Sequence, residues 1–126
     1  MRRISSLFAV LALLLLPACG ASSPADTYRE AISAIDGVER VSVEWARIGA
    51  GDSTSIEIDT ATSDTAELHR ILDDTVRAFV ESADRHEETT LNYMVYSQDR
   101  SEYLTPGDLG SVMRSLSDIR EHYGID

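Results

Sequence analysis

Few side chains in this sequence have the types and spacing that chemistry requires. His69 and Asp73 lie four residues apart, so on a helix they would share one face and could pair as an acid and a base. His86 precedes two glutamates, but no second histidine follows at the spacing of a zinc-protease helix. No serine lies in a Gly-x-Ser-x-Gly context, and there is no glycine-rich phosphate loop. The sequence therefore predicts no catalytic residues and no metal site, and we expect no cofactor.

Cys19 is the only cysteine, and its surroundings indicate export of the chain. It follows an apolar stretch from Ile4 to Leu16, which Arg2 and Arg3 precede. Positive charge, an apolar stretch and then small residues are the three parts of a signal peptide in their usual order. The apolar stretch is shorter than the roughly 20 residues that a membrane-spanning helix needs.

The segment Leu16-Pro17-Ala18-Cys19 resembles the lipobox of bacterial lipoproteins. That resemblance implies that residues 1–18 are removed as a signal peptide and that Cys19 is lipidated. Residues 19–22 would then form a short tether that holds the protein on the extracytoplasmic face of the cell membrane, or in the outer membrane if the cell has two. The alternative is an ordinary secretory signal cut near Gly20 or Ala21, which would discard the cysteine.

The composition argues against two classes of partner. The formal net charge is −11, the chain has no lysine, and its arginines form no basic run. Nucleic acid and anionic lipid headgroups would be repelled by such a surface, so neither is expected to bind the folded part. Residues 23–126 are enough for one domain and too few for two.

Two helices and a hairpin are predicted over the first two thirds of the folded part. Ser23-Pro24-Ala25-Asp26 has the residues of a helix start, and Gly37 stops the helix. Alternating apolar residues before and after Gly49-Ala50-Gly51-Asp52 predict a β-hairpin. Asp64-Thr65-Ala66-Glu67 is a second capping box, which opens the longest helix.

A third strand from about Thr89 to Ser97 and a final helix from Thr105 to Tyr123 complete the order αββαβα. This order predicts an α+β, two-layer sandwich in which a small three-stranded sheet carries all the helices on one face. The strands on either side of the longest helix should be parallel. Residues 27–97 are similar in part to the ferredoxin-like fold of small metal-transport domains. The first strand and any Cys-x-x-Cys pair are missing, so metal carriage is not implied.

The opposite face of this sheet is the candidate binding surface. Strand alternation places three carboxylates and two larger apolar side chains there: Glu44, Glu57, Asp59, Met94 and Tyr96. A solvated sheet face and a docking surface are both compatible with this composition. Trp45 alternates onto the helix-covered side, where we expect it in the core.

These features together favour a membrane-anchored, noncatalytic envelope domain that binds a protein or a ligand. The specific role is not encoded in any motif. Two alternatives stay open: an accessory lipoprotein without a specific ligand, and a secreted hydrolase or metal-dependent enzyme that uses His69 or His86.

Overall fold

The computed structural model describes residues 24–125, which form an α+β domain of two layers. In chain order the elements are α1 (Pro24–Ser33), β1 (Val38–Ile48), β2 (Gly51–Thr60), α2 (Thr65–Ser82), β3 (Thr90–Tyr96), β4 (Tyr103–Leu104), a 3₁₀ turn (Pro106–Leu109) and α3 (Leu116–Tyr123). The predicted signal peptide, Cys19 and the tether lie outside the described residues. No helix within residues 24–125 is both long and apolar enough to cross a membrane.

The sheet has the strand order β1-β2-β3-β4. β1 and β2 form the predicted antiparallel hairpin, and β2 pairs with β3 in parallel, from Ser53 opposite Thr90 to Asp59 opposite Tyr96. The expected parallel crossover through α2 is therefore confirmed. β2 and β3 are therefore direct neighbours in the sheet.

Two details of the sequence prediction are wrong. The sheet has four strands instead of three, because Tyr103 and Leu104 pair antiparallel with the end of β3. The last helix does not start at Thr105: the capping box of Thr105 and Asp108 opens only a 3₁₀ turn, which ends at Gly110 with φ +102°. A new helix start follows, where the Ser115 hydroxyl accepts a hydrogen bond from the Asp118 N–H.

One apolar core lies between the sheet and the helices. The inward side of the sheet and the inward faces of the helices contribute to the same cluster, which includes Tyr28, Ile32, Ile56, Ile58, Leu68, Leu72, Phe79, Val95, Leu116 and Ile119. At its centre the Tyr28 and Phe79 rings meet edge to face with centroids 4.7 Å apart. Trp45 is only half-buried, because it packs against the edge of this core.

The connection from α1 to β1 depends on Gly37. Its φ is +96°, which favours glycine, and a methyl group at this position would lie 2.7 Å from Cδ1 of Ile71 on α2. Arg70 closes the same turn from α2 by donating a hydrogen bond of 3.1 Å to the carbonyl oxygen of Asp36. The hairpin and the longest helix therefore meet at a point where an added side chain would force Ile71 to shift.

We predict that Gly37→Ala lowers the free energy of unfolding by about 3 kcal/mol, the sum of backbone strain and overpacking. Gly49→Ala is the matched control, because Gly49 also has a positive φ, of +62°, but has open space around it. It should cost about 1–2 kcal/mol from backbone strain alone. Urea unfolding of both variants measures the difference, and equal losses would show that the Ile71 contact is unimportant.

Candidate functional site

The five predicted surface residues share the sheet face opposite the helices. In the sheet register, Glu57 lies opposite Met94, Asp59 lies opposite Tyr96, and Glu44 lies opposite Ser55. Their neighbours along each strand are the inward-facing core residues, so strand alternation separates the two sets. No element within residues 24–125 packs over this side, which we call the open face.

Arg100 organises the centre of the open face. Its Nε donates a 2.9 Å hydrogen bond to Oδ1 of Asp59, and one terminal nitrogen lies 3.4 Å from Oε1 of Glu57. The guanidinium carbon is 4.1 Å from the centroid of the Tyr96 ring, in a cation–π contact. The Asp59 hydrogen bond raises the pKa of Arg100. On the other side, Arg40 lies 3.5 Å from Oδ2 of Asp59. Two predicted carboxylates are therefore already paired within the chain.

The turn between β3 and β4 holds Arg100 in this position. Arg100 has φ +61°, and its N–H donates to the Ser97 carbonyl oxygen at 2.9 Å. One oxygen of Asp99 accepts hydrogen bonds from the Ser101 hydroxyl, the Ser101 N–H and the Ser97 hydroxyl, and these bonds lower the pKa of Asp99. These hydrogen bonds fix the conformation of the turn. Arg100, its residue with positive φ, extends back over the sheet.

An aromatic strip borders the arginine. The Tyr96 and Tyr103 rings are 5.7 Å apart, and the Tyr96 hydroxyl lies 3.0 Å from the sulfur of Met94. Tyr103 is 52% exposed. Tyrosine and arginine are the residue types that concentrate binding energy in protein interfaces. The open face therefore combines hot-spot residue types with a nearly balanced local charge.

Glu44 differs from the other two carboxylates. It lies towards the outer edge of the open face on β1, is exposed, and takes part in none of the ion pairs within residues 24–125. Arg40, on the same strand, keeps a side chain that is 80% exposed although it approaches Asp59. These two side chains are consequently available to a partner at the edge of the sheet.

A concave region lies at the hairpin end of the domain. This cleft of about 630 Å³ is lined by acidic and polar side chains that include Asp52, Asp84, Glu87 and Glu88, together with Arg47 and His86. Asp52 is already paired with Arg47 at 3.0 Å, and Glu88 accepts hydrogen bonds from the N–H groups of Thr89 and Ser117. No group of three or more histidine, cysteine, aspartate and glutamate residues in the described part of the chain is arranged to hold a metal ion.

His122 and Asp73 make contacts that involve α3. His122 lies 3.2 Å from the Ser111 hydroxyl and against the Tyr123 ring. Asp73, which lies one helical turn from His69, accepts a hydrogen bond of 2.5 Å from the Tyr123 hydroxyl. These contacts fasten α3 to α2 and to the preceding loop, so they have a structural explanation.

Comparison with known proteins identifies no family. No protein-family model and no curated protein matches the chain. Among solved structures, a variant of MamM CTD is 16% identical over 63% of this chain and 78% of its own, with a TM-score of 0.45. A second variant, described as a zinc form, is 15% identical over 65% of this chain and 92% of its own, with a TM-score of 0.45. We assign no function from similarity at this level.

The cleft generates a pH-dependent prediction. Burial raises the pKa of Glu87, and the neighbouring Asp52 and Asp84 carboxylates raise it further. Above this raised pKa the ionised Glu87 destabilises the fold, whereas below the pKa of the unfolded chain the penalty is absent. We predict that Glu87→Gln raises the melting temperature at pH 7 and has little effect near pH 4. Thermal unfolding at both pH values tests this, and an equal effect at both would contradict it.

Proposed function

We propose that this chain is a lipid-anchored, noncatalytic lipoprotein of the bacterial cell envelope whose folded domain binds another envelope protein through the open face. The binding proposal rests on the Arg100 cluster, which is Arg100 with Asp59, Glu57 and Tyr96, on a sheet face that no element of residues 24–125 covers. Support for the anchor comes from the lipobox resemblance that ends at Cys19. The domain would then act on the extracytoplasmic side of the membrane.

The chemistry of the open face favours a protein partner over a small ligand. The face is a sheet surface and not an enclosed cavity, and small molecules bind in concave sites that bury most of their surface. Flat surfaces with tyrosine, methionine and arginine are typical of protein interfaces. Arg100 and Arg40 already neutralise part of the acidic charge, so a partner need not be basic.

The anchor has a direct test in the mass of the native protein. We predict that the protein isolated from membranes starts at Cys19 and carries a lipid-sized mass increment, which Cys19→Ala abolishes. Intact-mass spectrometry of both chains measures this. An unmodified chain that starts near Gly20 or Ala21 would instead identify simple secretion.

The binding surface can be tested by site-specific photo-crosslinking in intact cells. A photoreactive amino acid at Tyr103 or Asn92, both exposed on β4 and β3, should give one discrete adduct with another envelope protein. The same group at Glu81, which is exposed on α2 in the opposite layer, is the matched control. Arg100→Ala should weaken the adduct, because the guanidinium no longer holds Tyr96 and the two carboxylates in place.

Two outcomes would contradict the proposed surface. One is the absence of any adduct from Tyr103 and Asn92. The other is the same adduct pattern from Glu81, which would show that capture follows collision and not docking.

A further inference from the structure

The outer edge of β1 has no partner within residues 24–125. β1 is an end strand of the sheet and, with 11 residues, its longest strand. Apart from its pairing with β2, the backbone of β1 makes one hydrogen bond in the described residues. It lies at the start of the strand, where the Val38 N–H donates to the Ile35 carbonyl oxygen. A free edge of this length exposes a row of N–H and C=O groups that can pair with another strand.

β1 carries charged side chains, which are one device against edge pairing, but the other usual devices are weak along its middle. The one irregularity in pairing lies at the start of the strand, between Val38 and Arg40. The inward side chains along the middle of β1 are Val41, Val43 and Trp45, so no inward-pointing charge opposes pairing, and no proline interrupts the strand. The central part of the edge is therefore long, regular and apolar on its inner side.

The hairpin determines which residues of β1 direct their backbone N–H and C=O groups to the outer edge. Ile48 lies opposite Gly51 across a two-residue loop, and the residues that flank such a loop bond to each other. Alternate residues counted back from Ile48 therefore bond to β2. The residues between them, which include Val41 and Val43, point their N–H and C=O groups away from the sheet.

We propose that β1 pairs antiparallel with β1 of a second copy of this chain, about a two-fold axis at Ser42. In this register Arg40 of each copy lies opposite Glu44 of the other on the open face, which gives two symmetric ion pairs. Val41 lies opposite Val43 on the inner side, and both have the outward backbone groups that the ladder needs. Glu44, which has no ion pair within the described domain, gains one in the pair of chains.

Charge favours this register over the register whose two-fold axis lies at Val43. An axis at Val43 would place Ser42 opposite Glu44 and Arg40 opposite Ala46, so neither open-face charge would gain an opposite charge from the second copy. That register would also direct Arg47 towards Glu39, although Arg47 is already paired with Asp52 at 3.0 Å. The axis at Ser42 uses the free carboxylate and the most exposed of the paired arginines.

A disulfide test follows from the geometry of the axis. Two Ser42 residues would face each other as a non-hydrogen-bonded pair with Cα atoms about 4.5 Å apart, which suits a disulfide bond. We expect Ser42→Cys, in the otherwise complete chain expressed in its cell, to form a covalent dimer under mild oxidation. Ala46→Cys is the matched control, since it is exposed on the same face of the same strand but lies far from its copy.

The Ser42→Cys chain should give at least about tenfold more dimer than Ala46→Cys or the parent chain. The parent chain measures any dimer that forms through Cys19. Charge substitutions in the Ser42→Cys background then test the ion pairs. Arg40→Glu or Glu44→Arg alone should each lower the dimer yield about tenfold, and the double exchange should restore it to within about twofold.

Three results would overturn the proposal. Equal yields from positions 42 and 46 would indicate random collision, and no dimer at position 42 would indicate a free edge or one covered by another segment. If the double exchange did not restore the yield, the proposed ion pairs between Arg40 and Glu44 would be excluded. None of these results depends on the lipid anchor or on crosslinking from Tyr103 on the open face, so the proposed function is tested separately.

Discussion

Burial of a single sheet face beneath all three helices is the constraint on which the rest of this domain depends. The apolar stripes of α1, α2 and α3 converge on one core, so no helix of residues 24–125 is left for the other face. That face must then be stabilised by its own side chains and by whatever binds it. The Arg100 cluster and the free edge of β1 both belong to the part of the sheet that the helices leave uncovered.

Acidity shapes how the open face is built. In a chain of net charge −11 without lysine, the arginines are the only strong cations, and several of them are held by neighbouring carboxylates. Arg100 pairs with Asp59 and Glu57 while its flat guanidinium stacks on Tyr96, a combination that lysine cannot provide. Because the ions are half-exposed, we attribute to them the geometry of the face more than its stability.

Strong local patterns made the fold predictable. The continuous apolar stripe of α2, its capping box and the alternation of β1 and β2 each agree with the elements observed. The last helix was misjudged because a capping box fixes where a turn begins and not how long it continues: Gly110 adopts a left-handed conformation and ends it. β4 was missed because two residues are too few to show alternation.

The candidate site was predictable only in part. Alternation alone placed Glu44, Glu57, Asp59, Met94 and Tyr96 on one face. Arg100 was missed because it is 41 residues from Asp59 in the chain, and no sequence spacing reports a contact made through a parallel crossover. The one available signal was the polar turn Gln98-Asp99-Arg100-Ser101, which identifies a loop but not the direction of its arginine.

The position of β1 at the end of the sheet has a consequence for how strongly the open face can bind. A two-fold axis perpendicular to the sheet would turn the open faces of both copies to the same side and join them into one eight-stranded surface. The paired chains would then be bivalent, with two Arg100 clusters presented together. A partner that carries two matching sites would gain avidity from this arrangement without any additional contact.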